Sequence, residues 1–442
     1  MPDFPEHEDR AAVLAELHLR PFLQFSTPHS FQHFAFVIDP RGAAAEAAAF
    51  HALCDALGVP PPKPDARFHR IEAGAWTLRW ELHAEFASYS WSTGEIPPGA
   101  LGLGPTLGLG AIALPPAFEA YRPAGRLLVR VAVALVPRLT DAEAIEQPFN
   151  RTNLAIVNAA EGGARVATDF QADASGTVRF LIEDLDLTPT RAGRLVQRLM
   201  ELETYRTLAL LGLPVARRAE PVVRHVEEEL LHLSRAMTEA ASTDANRHLQ
   251  HELTALSAQL ESQIASTSYR FGATRAYAEL VRGRLDVIRE AEHGGYVSFS
   301  RFLRRRFGPA IATCEAVNRR QQELAERLAH AVDLLRTRIQ SELEDQNRLL
   351  LASMNRRSRL QLRLQQTVEG LSIAAVSYYI VGLVGYVAKG LKEAGALPHG
   401  ITPEVVAGLS VPLVIFGVWW MLHKARKAWA RSGATAKDDA DD

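Results

Sequence analysis

Cysteine is nearly absent from this chain: there are two in 442 residues, Cys54 and Cys314, far apart. That excludes a disulfide framework and a cysteine-based zinc site, and it suits a reducing cytoplasm. An excess of either charge is missing too. Lys and Arg number 49 against 51 Asp and Glu, a formal net charge of −2, so the basic balance of a nucleic-acid binder is not there. Motifs of chemistry are also lacking. There is no Walker sequence, no dinucleotide fingerprint, no His-Glu-x-x-His and no Ser/His/Asp nucleophile motif. The Gly-rich stretch Gly102 to Gly110 lacks the Gly-Lys-Ser/Thr ending and the strand–turn–helix setting of a phosphate loop. No catalytic residue and no cofactor is expected, and a metal ion would enter only as a transported species. The first residues, Met1 to Glu8, are acidic and broken by proline, unlike a cleaved signal peptide.

What the chain does have is two long uncharged runs near its C-terminal end. Leu371 to Ala388 and Val405 to Leu422 are each 18 residues without a charge. Each would cover about 27 Å as a helix, close to the ~30 Å hydrocarbon core of a bilayer. Buried core helices are the alternative, but two equal runs bounded by charges suit a membrane hairpin. Before the first run lie Arg356, Arg357, Arg359 and Arg363; after the second lie Lys424, Arg426, Lys427 and Arg431. The connection balances Lys389 and Lys392 against Glu393 and Glu404. The positive-inside rule therefore places both termini in the cytoplasm of a bacterial inner (plasma) membrane. Trp419, Trp420 and Trp429 sit at or beyond the cytoplasmic end of the second run, where aromatic rings favour the interface.

The chain divides into seven segments. Residues 1–215 read as a mixed α/β domain, with strands expected at Phe31 to Ile38, Trp76 to Phe86, Arg126 to Val136, Asn153 to Val157 and Thr177 to Ile182. A helix is expected over Ala43 to Leu57, and another from the Thr188-Pro189 start, ended by Gly212 and Pro214. Residues 216–308 read as a helical domain with turns near Thr243 and Gly294-Gly295, and 309–370 as a stalk helix. The stalk helix runs without Pro or Gly from 310 to 369 and carries a narrow stripe, Leu324, Leu328, Val332, Leu335, Ile339 and Leu343, continued by Leu350, Leu360, Leu364 and Val368. Such a stripe cannot be buried by one helix alone, so it packs on preceding helices or on copies of itself. Spans at 371–388 and 405–422, an external loop at 389–404 and a cytoplasmic tail at 423–442 complete the division.

Within the first span, Tyr378 and Tyr379 fall at the midpoint beside Ser377. A phenol in hydrocarbon costs a few kcal/mol unless paired, so at least one is expected to face another helix or a wet lumen. Gly370, Ala374, Ser377, Gly385 and Ala388 share one helical face, either a helix-packing stripe or the lining of a narrow pore. Arg356, Arg357, Arg359 and Arg363 are read either as topogenic, lipid-contacting groups or as a ring at a cytoplasmic mouth. Elsewhere, Glu16, His18 and Arg20 with His29 and His33, and Glu81, His83 and Glu85, are polar clusters. In a strand the last three project from one face. His18, His83 and Glu85 are weak metal-ligand candidates, with ordinary surface roles as the alternative.

The segments Glu16 to Phe22, His83 to Phe86, Gly193 to Arg206, Leu211 to Pro214 and Val368 to Tyr379 resemble a bacterial family of uncharacterised membrane-anchored proteins, a domain of unknown function, the 3422 family. The resemblance covers nearly the whole chain and implies topology without an activity. More loosely, the order of parts looks like the CorA magnesium-transporter superfamily, whose pentamers line a pore with their first spans and carry Gly-Met-Asn at the outer mouth. Here that region reads Gly382 to Gly390 with Tyr386 and Lys389, and no Asn follows Asn355. The resemblance implies a homo-oligomer, a pentamer by analogy, with magnesium selectivity in doubt.

The resulting expectation is an α+β cytoplasmic domain followed by a helical region with a long stalk helix and a C-terminal two-helix transmembrane hairpin. It would act as an ion channel or transporter, with Gly370, Ser377, Tyr378, Tyr379, Gly382, Gly385, Tyr386 and Lys389 on the membrane pathway or helix-packing face. The alternative is a scaffold or regulatory protein that the hairpin only anchors. The lipid bilayer is an expected partner and nucleic acid is not.

Overall fold

The computed structural model describes residues 7–8, 10, 14, 23–39, 41–64, 66–94, 114–240, 242–393 and 402–438, without the side chains of 142, 422 and 425–438. Glu16, His18, Arg20 and the Gly102 to Gly110 stretch lie outside the described residues. The chain divides into two compact units, Met1–Leu335 and Arg336–Asp442.

The first unit is built on one nine-stranded sheet. Its strands are β1 (His29–Val37), β2 (Phe68–Ala73), β3 (Trp76–Leu82), β4 (Phe86–Thr93), β5 (Arg126–Val136), β6 (Ala155–Ala159), β7 (Ala164–Thr168), β8 (Val178–Asp184) and β9 (Ala291–Glu292), in the order β2-β3-β4-β1-β5-β8-β7-β6-β9. Only β5 and β8 run parallel among these pairs. β5 and the Ala-rich helix α1 (Ala43–Leu57) have the ends expected from the sequence. The single strand expected over Trp76 to Phe86 is instead two. The chain reverses at His83 to Glu85, closed by the His83 N–H donating to the Phe86 carbonyl at 2.8 Å. Nothing in His-Ala-Glu signals a turn, since Gly, Pro and Asn are all absent from it.

Strand parity then sorts the sheet into two faces. On one, Val131, Val133, Val166, Phe180 and Ile182 pack under α3 (Pro189–Leu210) through Leu195, Val196 and Leu199. On the other, Phe34, Leu78, Trp80, Tyr89 and Trp91 pack under α1, where Phe50 stacks on Trp80 with ring centroids 4.4 Å apart. A short helix α2 (Pro116–Ala120) adds Phe118 to that face.

Helix α3 begins as expected: the Thr188 hydroxyl accepts from the Arg191 N–H at 3.4 Å and Pro189 takes the first position. Gly212 and Pro214, expected to end the helical run, open the next helix, α4 (Gly212–Glu239). A first-turn proline lacks only an N–H that would have had no partner, so it starts a helix as readily as it stops one. Gly212 is needed for packing: a Cβ there would lie 2.3 Å from Thr274 Oγ1. Thr274 belongs to α5 (Thr243–Ile288), and its hydroxyl donates to the Ala209 carbonyl at 3.0 Å. Gly193 admits the Leu23 carbonyl, which a Cβ would meet at 1.7 Å. After α6 (Phe299–Arg306) comes α7 (Gly308–Glu393), a single helix of 86 residues. Its first part packs with α4 and α5 through Val223, Leu253, Leu324, Leu328 and Leu335.

The second unit contains the rest of α7 and α8 (Pro403–Asp438). From 343 to 368 nearly every residue of α7 is exposed. Both helices contain stretches long and apolar enough to cross a membrane, and only 11% and 6% of those stretches are buried. The core helix of a soluble protein would be mostly buried, so the low figures separate these helices from that class.

Candidate functional site

In the second unit, α7 presents two different faces. Ser377 and Ala388 are 5% and 3% exposed, and α8 contributes the buried Val418. A Cβ on Gly385 would touch the Ala407 Cβ at 3.6 Å, so Gly385 belongs to the same close-packed side, while Gly370 and Gly382 meet nothing within 4 Å. The tyrosines are turned away: Tyr378, Tyr379 and Tyr386 are 80%, 76% and 79% exposed. Lys389 is exposed as well. At least one phenol of the Tyr378–Tyr379 pair is expected to face another helix or a wet lumen; among the described residues no helix covers either. Arg356, Arg357, Arg359 and Arg363 are all exposed and, among the described residues, pair with no carboxylate.

The polar clusters of the first unit come together differently from their expected arrangement. Glu81 ends the β3 hairpin arm, and His83 folds back so that its Nε2 lies 3.3 Å from Glu81 Oε2, while its ring stacks on Phe86 at 4.0 Å. Glu85 leaves them. Its carboxylate, almost fully buried, takes two guanidinium bonds from Arg270 of α5, at 3.2 and 3.0 Å, and one from the Tyr269 hydroxyl at 3.0 Å. Among the described residues no group of three or more His, Cys, Asp or Glu is placed to hold a metal ion.

His33 joins the Glu81 cluster from β1. Its Nδ1 lies 2.8 Å from Ser90 Oγ and its Nε2 3.0 Å from Thr204 Oγ1. The Thr204 hydroxyl donates its own proton to the Met200 carbonyl at 2.8 Å, so its oxygen accepts from His33 Nε2–H. Nδ1 is then the bare nitrogen that accepts from Ser90. Burial pushes the His33 imidazole down to about 4, with Glu81 opposing. Burial works to raise the Glu81 carboxyl, but the His83 and Arg79 hydrogen bonds and charges outweigh it and hold it down to about 2. Arg79 Nε donates to Glu81 at 2.6 Å, and its Nη1 to Gln197 at 3.0 Å. Gln197 passes the chain to Glu201 at 2.7 Å, and Arg284 closes it on the same carboxylate. Tyr205, beside them, is pushed up to about 12, by burial first and then by Glu201.

The cavity these residues enclose is about 30 Å³, room for one water molecule. Ser90 and His33 have the contact of a nucleophile and its base, yet the imidazole is far too weak a base near neutral pH and no substrate fits beside it. The cluster is a closed set of mutually satisfied charges joining β1, β3 and β4 to α3 and α5.

A family model described as "Protein of unknown function (DUF3422)" matches residues 5–429. The chain belongs to that family. No curated protein and no solved structure matches it. The family thus adds the extent of a shared architecture, not an activity.

Sequence reasoning did not find Arg79, Ser90, Gln197, Glu201, Thr204 or Arg284. One signal was available. Ser88, Ser90 and Ser92 alternate with Ala87, Tyr89 and Trp91, and pair in register with the strand that carries His33. That marks a polar sheet face, though not what covers it.

Proposed function

We propose that the protein is a homo-oligomer of the bacterial inner membrane, of CorA-like build, with α7 and α8 crossing the bilayer as a hairpin and both termini in the cytoplasm. The observation that carries this reading is the opposition of faces on α7. Ser377 and Tyr379 lie about 200° apart around the helix at 3.6 residues per turn. The Ser377 side meets α8, and the Tyr379 side is bare. The bare side is continuous, because Leu343, Leu350, Met354, Leu364, Val368, Leu371, Tyr379 and Tyr386 fall within one third of the helix circumference and are 39–79% exposed. A partner for such a stripe must present leucines below the membrane and phenol acceptors within it, at matching heights. A second copy, inserted in the same orientation, does so by construction.

In this reading the first spans meet around Tyr378, Tyr379, Gly382 and Tyr386, and an ion pathway runs where they meet. Lys389 at the outer end and unpaired arginines at the inner end favour anions over divalent cations. The test has two arms. Size analysis in detergent is expected to give an oligomer, and a monomer would end the proposal, since two spans cannot enclose a pathway. Reconstituted vesicles are expected to pass anions at a rate changed by Tyr379→Ala and Lys389→Glu. An oligomer with no flux above empty vesicles would leave the hairpin as an anchor for a scaffold.

A further inference from the structure

Among the described residues, the back of the sheet is left open over β1 and β5. There the described residues enclose a cleft of about 560 Å³, inside the range of roughly 300–1,000 Å³ in which proteins hold small molecules. Its walls are apolar: Phe34 and Phe36 from β1, Phe118 from α2 and Leu127 from β5. Its charged groups are Arg130, Arg122 and Glu119, two cations to one anion.

Arg130 is the half-buried cation of this cleft. Many guanidinium groups of this unit have a carboxylate: Arg79 has Glu81, Arg165 has Glu183, Arg206 has Glu203, Arg270 has Glu85 and Arg284 has Glu201. Arg179 and Arg198, like Arg130, lie instead against neutral groups, the Phe149 ring and the Val287 carbonyl. Arg130 has no carboxylate partner among the described residues. Its Nη1 donates to the Ser175 carbonyl at 3.0 Å, its Cζ lies 5.6 Å from the centre of the Phe34 ring, and its Nε is buried with no hydrogen bond among the described residues. Neutral partners orient this cation and leave its charge uncompensated. A charge withdrawn from water without a counter-ion is costly, and an arriving anion removes that cost. Arg122 at the same cleft is likewise held by neutral groups, the carbonyls of Glu119 and Tyr121 at 3.0 and 2.8 Å.

We propose that this cleft binds an amphipathic monoanion, one carboxylate on an apolar alkyl or aromatic body. The carboxylate sits on Arg130, and the body lies along Phe34, Phe36, Phe118 and Leu127. The site is separate from the Glu81 cluster, which lies on the opposite face of the sheet. It does not depend on the membrane reading.

Calorimetric titration of the full chain in neutral detergent tests it with three probes of one shape: 4-phenylbutyrate, 4-phenylbutanol and 4-phenylbutylamine. The butyrate is expected to bind saturably, the alcohol at least tenfold more weakly and the amine not at all. Arg130→Gln is expected to weaken the butyrate at least tenfold while sparing the alcohol. Leu127 is 45% exposed, so Leu127→Glu places a repelling charge at the rim without disturbing the core, and it too should weaken the butyrate at least tenfold. Equal binding of butyrate and amine, no saturable butyrate binding, or unchanged affinity in a Leu127→Glu protein that melts like the wild type would overturn the proposal.

Discussion

The two units of this protein treat their polar and apolar groups in opposite ways. In the first, carboxylates and guanidiniums go inside and find each other: Glu85 with Arg270, Glu183 with Arg165, Glu203 with Arg206. In the second, leucines and tyrosines stay outside, and among the described residues the four arginines between 356 and 363 pair with no carboxylate. Among the described residues the first unit thus pairs most of its buried charges internally, while the second leaves apolar surface bare. The lesson is that burial, not composition, separates the regions. Leucine is frequent in both.

Three measurements sharpen or break this contrast. The largest effect is expected at the buried pair. Arg270→Ala strands the Glu85 carboxylate and should cost about 3–5 kcal/mol in denaturant unfolding of the full chain followed by a signal from the first unit. Tyr379→Ala should leave that transition where it is. Equal shifts from both substitutions would mean that the units do not differ in self-sufficiency.

Next comes pH. His33 is held down to about 4 by burial against about 6.5 in an unfolded chain. Between these values the unfolded state takes up more protons, so stability falls as pH drops from 6.5 to 4, by about 3 kcal/mol from this residue. Glu81 acts lower still: its contribution is complete above the ordinary carboxylate range and is lost as pH falls toward 2. His33→Gln should flatten the slope between pH 6.5 and 4 and leave the one below it. A slope that survives unchanged would assign it to other groups.

The smallest effect is expected at the arginines. Each is worth about 1 kcal/mol near an anionic lipid surface, so Arg356→Gln with Arg357→Gln should reduce lipid capture on mixing anionic and zwitterionic nanodiscs by roughly thirtyfold. No preference for anionic lipid in the wild type would remove these groups from the lipid surface.

Much of the fold was legible locally. Arg126 to Val136 is a nearly continuous apolar run rich in valine, Ala43 to Leu57 is Ala-rich and ends at Gly58 in a left-handed conformation, and Thr188-Pro189 opens its helix as capping chemistry requires. The reversal at His83 was not legible, because its turn uses residues that strands also use. The candidate site divides in the same way. The tyrosine side of α7 could be named from the sequence, since helical period places Tyr379 and Tyr386 together. The Arg130 cleft could not be named, since Arg130 alone looks like any outward residue of a strand.

By itself the sequence determined two apolar helices bounded by charge, a long helix free of proline from 310 to 388, and a sheet unit ahead of them. These follow from the periods of the backbone and from side-chain polarity, which act over a few residues. Tertiary structure alone decided which polar residues are inside. Ser88, Ser92 and His33 share a polar strand face, which α3, about a hundred residues or more further along, covers, leaving each buried and supplying Thr204 as the acceptor for His33. A hydrogen bond between positions 171 residues apart has no local signature, because the desolvation it offsets exists only once the helix has docked.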